Sequence, residues 1–252
     1  MKTLTAIPIY NEERHLEKVL AEVRRFSPEI LVVNDGSSDR TAELLARQSD
    51  ITVITHAQNR GYGAALTSAF QYAQDHHYEV LVTMDCDGQH EPSRIPVLLE
   101  AIHDADLVSG SRYLRDFRQN SLAPQERLRI NQVITCELNK LLGLNLTDAF
   151  CGFKAYRASA LAKLAITESG WGMPLQLWVQ AALAGLRIKE VGVPRVYLDP
   201  KRAFGGMLND ADERLSYYHR VIADALKQAR SAPCAEAAHG LCSMPSQQES
   251  CR

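Results

Sequence analysis

The sequence lacks several features that would each point to a particular class of protein. It has no long apolar run: its longest uncharged stretch, residues 169–186, contains three glycines, one proline and three Ser or Gln side chains. A membrane-spanning helix needs about 20 predominantly apolar residues, so no such helix is predicted. Basic residues show no excess either, since 28 Lys and Arg stand against 30 Asp and Glu. This balance argues against nucleic acid as a partner, because nucleic-acid-binding proteins usually carry a strongly basic face.

An export signal and metal-binding cysteine motifs are also missing. Pro8 interrupts the first apolar residues too early for a signal peptide, which predicts a cytoplasmic protein with reduced thiols. The six cysteines include no CxxC spacing, so a zinc site is not expected. Three of them fall in a terminal segment with Ser, Pro and Gln, a composition typical of unpacked chain ends. We therefore predict one domain over residues 1–230 and a disordered tail over residues 231–252.

Short apolar runs alternate with amphipathic helical patterns along the first 110 residues. Runs such as residues 30–33 and 80–84 are each followed by apolar residues at helical spacing, which after the second run predicts a helix over residues 92–102. This alternation predicts an α/β fold with a mostly parallel central sheet and helices on both faces. Later in the chain the rhythm changes. Helices are predicted over residues 125–142, 158–164, 174–184 and 208–229, and strands over residues 150–156 and 187–193.

Polar residues cluster where three of the predicted strands end. The first strand leads into Tyr10 and Glu12, the second into Asp35, and the fourth into Asp85 and Asp87. Ligands of open α/β sheets bind beyond the carboxyl ends of the strands. We therefore expect these side chains to meet at one edge of the sheet and to carry the function.

Asp85 and Asp87 stand one residue apart after an apolar strand, and Gln89 follows them. Carboxylate and carbonyl oxygens are the ligands that Mg²⁺ and Mn²⁺ prefer, often shared with substrate phosphates. The spacing therefore indicates a divalent-cation site on these three side chains. A solvated acidic turn is the alternative, because two Asp residues at this spacing are common in proteins.

Three other positions also have both a structural and a functional interpretation. Asp35 lies in a turn-forming sequence, or accepts hydrogen bonds from a nucleobase. Glu12 is a first-turn helix carboxylate, or contacts the base or ribose. In residues 59–65, Gly61 allows the backbone to approach a ligand, with amides facing a phosphate or base. That segment is a poor dinucleotide fingerprint, because Leu66 stands in place of the third glycine.

Five segments in order carry a resemblance to a known family. They are residues 8–12 (PIYNE), 33–39 (VNDGSSD), 59–63 (NRGYG), 84–90 (MDCDGQH) and 110–113 (GSRY). Together they resemble family 2 glycosyltransferases of the GT-A fold, most of all the dolichyl-phosphate mannose synthase type. The resemblance spans residues 4–200. It implies metal-dependent, inverting transfer of a sugar from a UDP- or GDP-sugar to a polyprenyl phosphate or another hydroxyl or phosphate acceptor.

The resemblance also implies roles for single residues. Asp85, Asp87 and Gln89 would hold Mg²⁺ or Mn²⁺ and the diphosphate. Asp87 and Asp148 would be catalytic, with Asp148 as general base for a hydroxyl acceptor; an ionised lipid phosphate needs no base. The donor-binding residues implied are Pro8, Tyr10, Glu12, Asp35, Gly61, Asp85, Cys86, Asp87, Gln89, Arg112 and Arg202.

Departures from the family pattern lie on the acceptor side and leave a polyprenyl phosphate and a soluble acceptor both open. Residues 206–208 (GML) replace a Ser-Lys pair, and Gln176 stands near Trp178 where a Glu is usual. The arginine-containing segment 115–125 suggests peripheral contact with the cytoplasmic membrane face, or is a solvated loop.

Two other functions remain open at this point. The Asp85 turn also resembles the nucleophile turn of haloacid-dehalogenase-type phosphatases, although that turn normally follows an earlier strand and lacks a residue like Gln89. A non-catalytic sugar-nucleotide-binding module would bind a donor without turnover.

Overall fold

One mixed sheet of seven strands organises the computed structural model, which describes residues 1–198 and 206–231. The strands are β1 (Thr3–Ile9), β2 (Ile30–Asn34), β3 (Thr52–Thr55), β4 (Val80–Thr83), β5 (Leu107–Ser111), β6 (Lys154–Arg157) and β7 (Ile188–Gly192). The α-helices are α1 (Leu16–Val23), α2 (Thr41–Ala46), α3 (Tyr62–Asp75), α4 (Ile95–Ala101), α5 (Gln125–Leu142), α6 (Ala158–Leu161), α7 (Met173–Leu183) and α8 (Ala211–Ser231). Short 3-10 helices cover Pro92–Arg94, Ile102–Asp104 and Gly206–Asn209.

The strand order is β3-β2-β1-β4-β6-β5-β7. All neighbouring pairs are parallel except those of β6, which runs antiparallel between β4 and β5. The predicted α/β fold with a mostly parallel sheet in a single domain is thus confirmed, and the second half of the chain extends the sheet of the first. Between β1 and β4 the order of the strands reverses, and such switch points form the ligand crevices of open α/β sheets.

Helices cover both faces of the sheet because alternate strand residues point to opposite sides. Leu31 and Val33 pack into the apolar layer that includes α3, α5, α7 and α8. Ile30 and Val32 pack into the layer that includes α1, α2 and α4. Burial on both sides explains the continuous apolar runs. The edge strand β3 is the exception, since most of its residues are exposed.

Helix α5 has the predicted bounds, and it ends at Gly143 in the left-handed conformation (φ 66°). Other predicted bounds are wrong. The helix predicted over residues 92–102 is divided into two 3-10 helices and α4, where Pro92 and Pro96 lack the amide hydrogens that a longer regular helix would need. The strand predicted from residue 150 begins only at residue 154, because residues 148–152 form a turn beside the edge of the sheet.

In the described part of the chain, no helix combines the length and the apolar character needed to cross a bilayer. The tail predicted for residues 231–252 lies outside the described residues apart from Ser231, which ends α8. Arg202 also lies outside them.

Candidate active site

A cavity of about 850 Å³ opens at the carboxyl edge of β1 and β4, at the switch point of the sheet. Asp148 does not line it. Ten of the eleven predicted donor-binding residues do: Pro8, Tyr10, Glu12, Asp35, Gly61, Asp85, Cys86, Asp87, Gln89 and Arg112. Segments far apart in the sequence therefore meet in one place. Of these ten residues, Cys86 packs its side chain into the hydrophobic core and is only 2% exposed.

The turns that follow β1 and β2 are joined to each other by side-chain hydrogen bonds. Asn11 adopts a positive φ of 56°, and its Oδ1 accepts the amide hydrogens of Ser38 (2.8 Å) and Asp39 (3.3 Å). The amide of Glu12 donates to Thr41 Oγ1 at 3.0 Å. A residue with a left-handed backbone at the end of β1 is thus held in place by the second turn, which fixes one wall of the cavity.

Asp35 organises the glycine-containing segment rather than leaving its amides free for a ligand. Its Oδ1 accepts the amide of Arg60 (2.9 Å) and lies 2.6 Å from His56 Nδ1, while its Oδ2 accepts the amide of Gly61 (2.8 Å). The expectation that these two amides face a phosphate or base is therefore wrong, because the buried carboxylate already accepts them. Asp35 and Gly61 line the cavity as one connected unit.

Gly61 is required by a close approach of another loop. It has a φ of 103°, and a Cβ at this position would lie 2.3 Å from the carbonyl oxygen of Ser169. The approach brings Trp171 to the cavity, where its ring stacks on Tyr62 with centroids 5.1 Å apart. The sequence suggests Gly61 as a ligand contact, but in the structure its missing side chain leaves room for the loop that carries Ser169 and Trp171.

The turn after β4 presents two carboxylates whose surroundings differ. Asp87 accepts hydrogen bonds from the Gln89 amide (3.0 Å) and from Gln89 Nε2 (2.6 Å). Asp85 is 31% exposed, and its Oδ1 accepts the hydroxyl of Tyr62 at 3.1 Å. Gln89 thus orients Asp87 through its donor group in this structure.

Among the described residues, no group of three or more His, Cys, Asp or Glu side chains is placed to hold a metal ion. The pair of half-buried carboxylates nevertheless fits Mg²⁺ or Mn²⁺, which commonly bind through one or two carboxylates and complete their shell with water and substrate phosphates. The residues present therefore suit a cation that arrives with a diphosphate.

Arg112 reaches the cavity from a buried ion pair with Asp148. Its guanidinium donates to Asp148 Oδ2 from Nε (2.6 Å) and to Oδ1 from Nη2 (2.9 Å). Asp148 is fully buried, whereas Arg112 is 19% exposed. Burial by itself would raise the pKa of Asp148, but the charge and hydrogen bonds of Arg112 outweigh it and lower that pKa to about 2.

This geometry does not suit Asp148 as a general base. Its carboxylate also accepts the Asn131 side chain (2.7 Å) and the Phe150 amide (3.1 Å). A carboxylate with a pKa of about 2 that is enclosed by donors has little tendency to take up a proton near neutral pH. The arrangement instead fixes the position of the Arg112 guanidinium.

Two more side chains support this pair. Glu190 on β7 accepts the amides of Thr147 (2.8 Å) and Asp148 (3.1 Å), and Thr135 on α5 donates to Asn131 Oδ1 (2.9 Å). The turn that carries Asp148 is therefore bound to a strand on one side and to a helix on the other.

Sequence reasoning missed most of the aromatic lining of the cavity. A tryptophan between two glycines, at Trp171, is the one local signal that could have indicated an exposed ring at a turn. Tyr62 and Tyr113 lie inside two of the family segments, in which only the neighbouring Gly61 and Arg112 were predicted to bind a ligand, and the others come from elements with no motif of their own. The missed lining residues include Tyr62, Tyr113, Arg127, Phe150, Trp171, Tyr197, Arg214 and Tyr218.

Comparison with known proteins assigns the fold and the family. Among solved structures, glucosyl-3-phosphoglycerate synthase from Mycobacterium tuberculosis, in complex with Mn²⁺, UDP and phosphoglyceric acid, superposes with a TM-score of 0.66 at 20% identity, covering 93% of this chain and 80% of that chain. Staphylococcus aureus TarS in complex with UDP-GlcNAc gives a TM-score of 0.58 at 18% identity, covering 89% and 66%. These likenesses show a GT-A fold.

Curated relatives are closer in sequence. Undecaprenyl-phosphate mannosyltransferase of Micrococcus luteus is 36% identical over 222 residues, which is 84% of this chain and 91% of that protein. Polyprenol monophosphomannose synthase of Mycolicibacterium smegmatis is 34% identical over 203 residues, 76% of each chain. Residues 5–165 match the model of Glycosyl transferase family 2. The chain therefore belongs to glycosyltransferase family 2 and is an enzyme of that class, not a phosphatase of the haloacid-dehalogenase type.

Proposed function

We propose that this glycosyltransferase moves a sugar, with inversion, from a UDP- or GDP-sugar to a polyprenyl phosphate, with Mg²⁺ or Mn²⁺ as cofactor. The observation that carries the proposal is that two carboxylates, Asp85 and Asp87, and the charged Arg112 line one cavity at the switch point of the sheet. The names of the two curated relatives, which specify polyprenyl phosphate acceptors and mannose, support the acceptor class. The Mn²⁺ and UDP in the M. tuberculosis structure support the donor and the cation.

The donor's nucleoside would lie along the wall formed by the β1 and β2 turns. Tyr10 is 46% exposed there and offers a ring to a base, while Pro8 and Glu12 line the same wall. Asp35 and Gly61 shape its floor. A thermal-shift comparison of UDP- and GDP-sugars identifies which base, uracil or guanine, binds there.

Asp85 and Asp87 would hold the cation, with Gln89 orienting Asp87. When bound, a divalent cation supplies positive charge for the diphosphate that leaves. Arg112 supplies a second, permanent positive charge at the same cavity, since its pKa stays well above its usual value beside Asp148, although burial opposes this. Charge fixed in advance at the position where negative charge develops is an effective form of transition-state stabilisation.

The acceptor would enter over the aromatic half of the cavity. Phe150 and Tyr218 pack together there, with ring centroids 4.9 Å apart, and Arg127 on α5 lines the same region. A phosphate monoester has a second pKa of about 6, so its oxygen attacks the anomeric carbon without a base. This fits an Asp148 that is committed to Arg112 rather than to proton transfer.

Contact with a membrane surface follows from a lipid acceptor. The loop before α5 carries Leu122, which is 91% exposed, near the exposed Arg118. Ser121 in this loop donates its amide to the carbonyl of Arg195 at 2.7 Å, which ties the loop to a segment that lines the cavity. We propose that this loop touches the cytoplasmic face of the membrane during transfer.

A thermal-shift screen with UDP- and GDP-sugars, each with and without Mn²⁺, tests the donor half of the proposal. A ligand at one hundred times its dissociation constant stabilises the native state by about 2.7 kcal/mol. We expect a Mn²⁺-dependent shift with one base, lost in Asp87→Ala and retained in the exposed control Asp104→Ala. No shift with any donor would contradict the proposal.

Transfer is tested by incubating the donor with short-chain polyprenyl phosphate and following the glycolipid by mass spectrometry. Donor binding without a glycosylated polyprenyl phosphate would contradict the acceptor half of the proposal, and a product formed only with a soluble acceptor would replace it.

A further inference from the structure

Three segments meet at the carboxylate of Asp85. The hydroxyl of Tyr62, the first residue of α3, donates to Asp85 Oδ1 at 3.1 Å. Gly152, which precedes β6, completes the contact: a Cβ at this position would lie 2.7 Å from the Tyr62 hydroxyl, 2.7 Å from Asp85 Oδ2 and 2.9 Å from Oδ1. Any larger side chain at residue 152 would therefore separate the phenol from the carboxylate.

Gly152 is fixed by the sheet itself. Its carbonyl accepts the hydroxyl of Thr83, the last residue of β4, at 2.9 Å. Because Thr83 directly precedes the Asp85 turn, the strand that delivers the carboxylate also positions the glycine beside it.

The Tyr62 ring is braced on its other side. It stacks on Trp171 at an interplanar angle of 15°, and the loop that carries Trp171 is fastened to α8. There Tyr217 donates its hydroxyl to Glu168 Oε1 (2.6 Å) and accepts the amide of Gly172 (3.0 Å). A phenol held between a glycine and a stacked indole has little freedom to move away from Asp85.

We propose that Tyr62 is a positioning residue that fixes the orientation of the Asp85 carboxylate for the divalent cation. Its hydroxyl holds Oδ1, while Oδ2 lies 3.8 Å from His90 Nδ1, and the carboxylate, which is 31% exposed, lines the cavity. The inference rests on the proposed function, since it assigns a residue to the cation site of that function.

The test compares Tyr62→Phe with the wild-type enzyme by electron paramagnetic resonance of free Mn²⁺, titrated alone and with UDP or GDP. Groups that orient metal ligands typically change metal affinity by 10–100-fold, so we expect Mn²⁺ to bind about 10-fold or more weakly in the variant. The affinity for the nucleotide without Mn²⁺ stays within about 2-fold. Phe preserves the ring stack on Trp171, so the variant removes only the hydroxyl.

Tyr78→Phe is the matched control. Tyr78 is a buried phenol whose hydroxyl also donates to a carboxylate, Glu29 Oε2 at 3.2 Å, but neither residue lines the cavity. The Mn²⁺ affinity of the Tyr78→Phe variant should equal that of the wild type. Trp171→Ala, which removes the brace and keeps the hydroxyl, should weaken Mn²⁺ binding in the same direction, and Trp171→Phe should restore most of it.

The outcomes separate the inference from the proposed function. If wild type shows Mn²⁺-dependent nucleotide binding and Tyr62→Phe matches it, the inference alone is overturned. If Tyr62→Phe loses nucleotide affinity equally with and without Mn²⁺, Tyr62 contacts the nucleotide directly and the inference is again wrong. A wild-type enzyme without any Mn²⁺-dependent binding would overturn both.

Discussion

The carboxylate of Asp148 and the guanidinium of Arg112 form a two-pronged ion pair, with N–O distances of 2.6 and 2.9 Å, behind the wall of the cavity. Only the arginine is partly exposed. The pair thus holds a permanent positive charge at the cavity in one orientation, and it links the stability of the fold to the geometry of the site.

Asp148→Asn should lower the free energy of unfolding by about 3 kcal/mol at pH 7, because removing one partner of a buried pair leaves the other charge uncompensated. Urea denaturation measures the loss. Asp106→Asn serves as a control, since Asp106 makes the same two-pronged contact with Arg187 at the surface and surface pairs contribute little. Equal losses in the two variants would contradict this account of burial.

The contribution of Asp148 should depend on pH with a definite sign. Its pKa is about 2 in the folded protein and about 3.9 in an unfolded chain. The stabilisation, about 2–3 kcal/mol by linkage, is therefore fully present above pH ~4 and is lost as the pH falls towards 2. Denaturation at pH 7, 4 and 2.5 should show the difference between wild type and Asp148→Asn shrinking at the lowest pH. A difference that grew on acidification would contradict the lowered pKa.

Asp35→Ala should destabilise the protein and abolish nucleotide binding together. Without the carboxylate, the amides of Arg60 and Gly61 lose their acceptor, and each unsatisfied buried donor costs about 1–3 kcal/mol. Asp35→Asn, which keeps one acceptor oxygen, should lose less stability. Urea denaturation and nucleotide titration measure the two effects. Lost binding at unchanged stability would indicate instead that Asp35 contacts the ligand alone.

Gly61→Ala should cost about 3 kcal/mol or more of stability, because it adds a steric clash to an unfavourable φ. Gly143→Ala separates the two effects. Gly143 also has a positive φ, of 66°, but a Cβ there meets nothing within 4 Å, so only the backbone penalty of about 1 kcal/mol remains. Chemical denaturation of both variants provides the comparison, and similar losses would show that the Ser169 contact is unimportant.

Arg127→Gln should raise the KM for polyprenyl phosphate about 10-fold and leave donor binding unchanged, since it removes a charge from the acceptor half of the cavity. Arg129→Gln removes the same charge two residues away on the exposed face of α5, outside the cavity lining. Steady-state kinetics with a water-soluble short-chain acceptor distinguish the two. If both variants raise KM alike, the effect is one of general surface charge.

Sequence patterns predict the helices, strands and turns whose structure depends mainly on residues close to one another in the sequence. Helix α5 follows from its apolar spacing and ends at Gly143. The turns that contain Asp35 and Asp85 meet because parallel strands bring their carboxyl ends to one edge. These parts of the site can therefore be predicted from the sequence alone.

Contacts between segments that are distant in the sequence cannot be predicted from these local patterns. Nothing within residues 150–157 indicates that β6 runs antiparallel between β4 and β5, because strand direction is set by the partners. The stack of Trp171 on Tyr62 and the hydrogen bond from Asn131 to Asp148 likewise exist only once the layers have packed. A motif predicts a role for Asp148, whereas its burial and its partners follow from the tertiary fold.

The position of β6 has a consequence for synthesis of the chain on the ribosome. Strands β4 and β5 are complete by residue 111, yet they are not neighbours in the finished sheet, because β6 lies between them. Until residues 154–157 leave the exit tunnel, each has an unpaired edge, the kind of surface that pairs with other chains. A stalled nascent chain that ends before β6 should therefore recruit chaperones, and the amino-terminal half should not fold as an independent fragment.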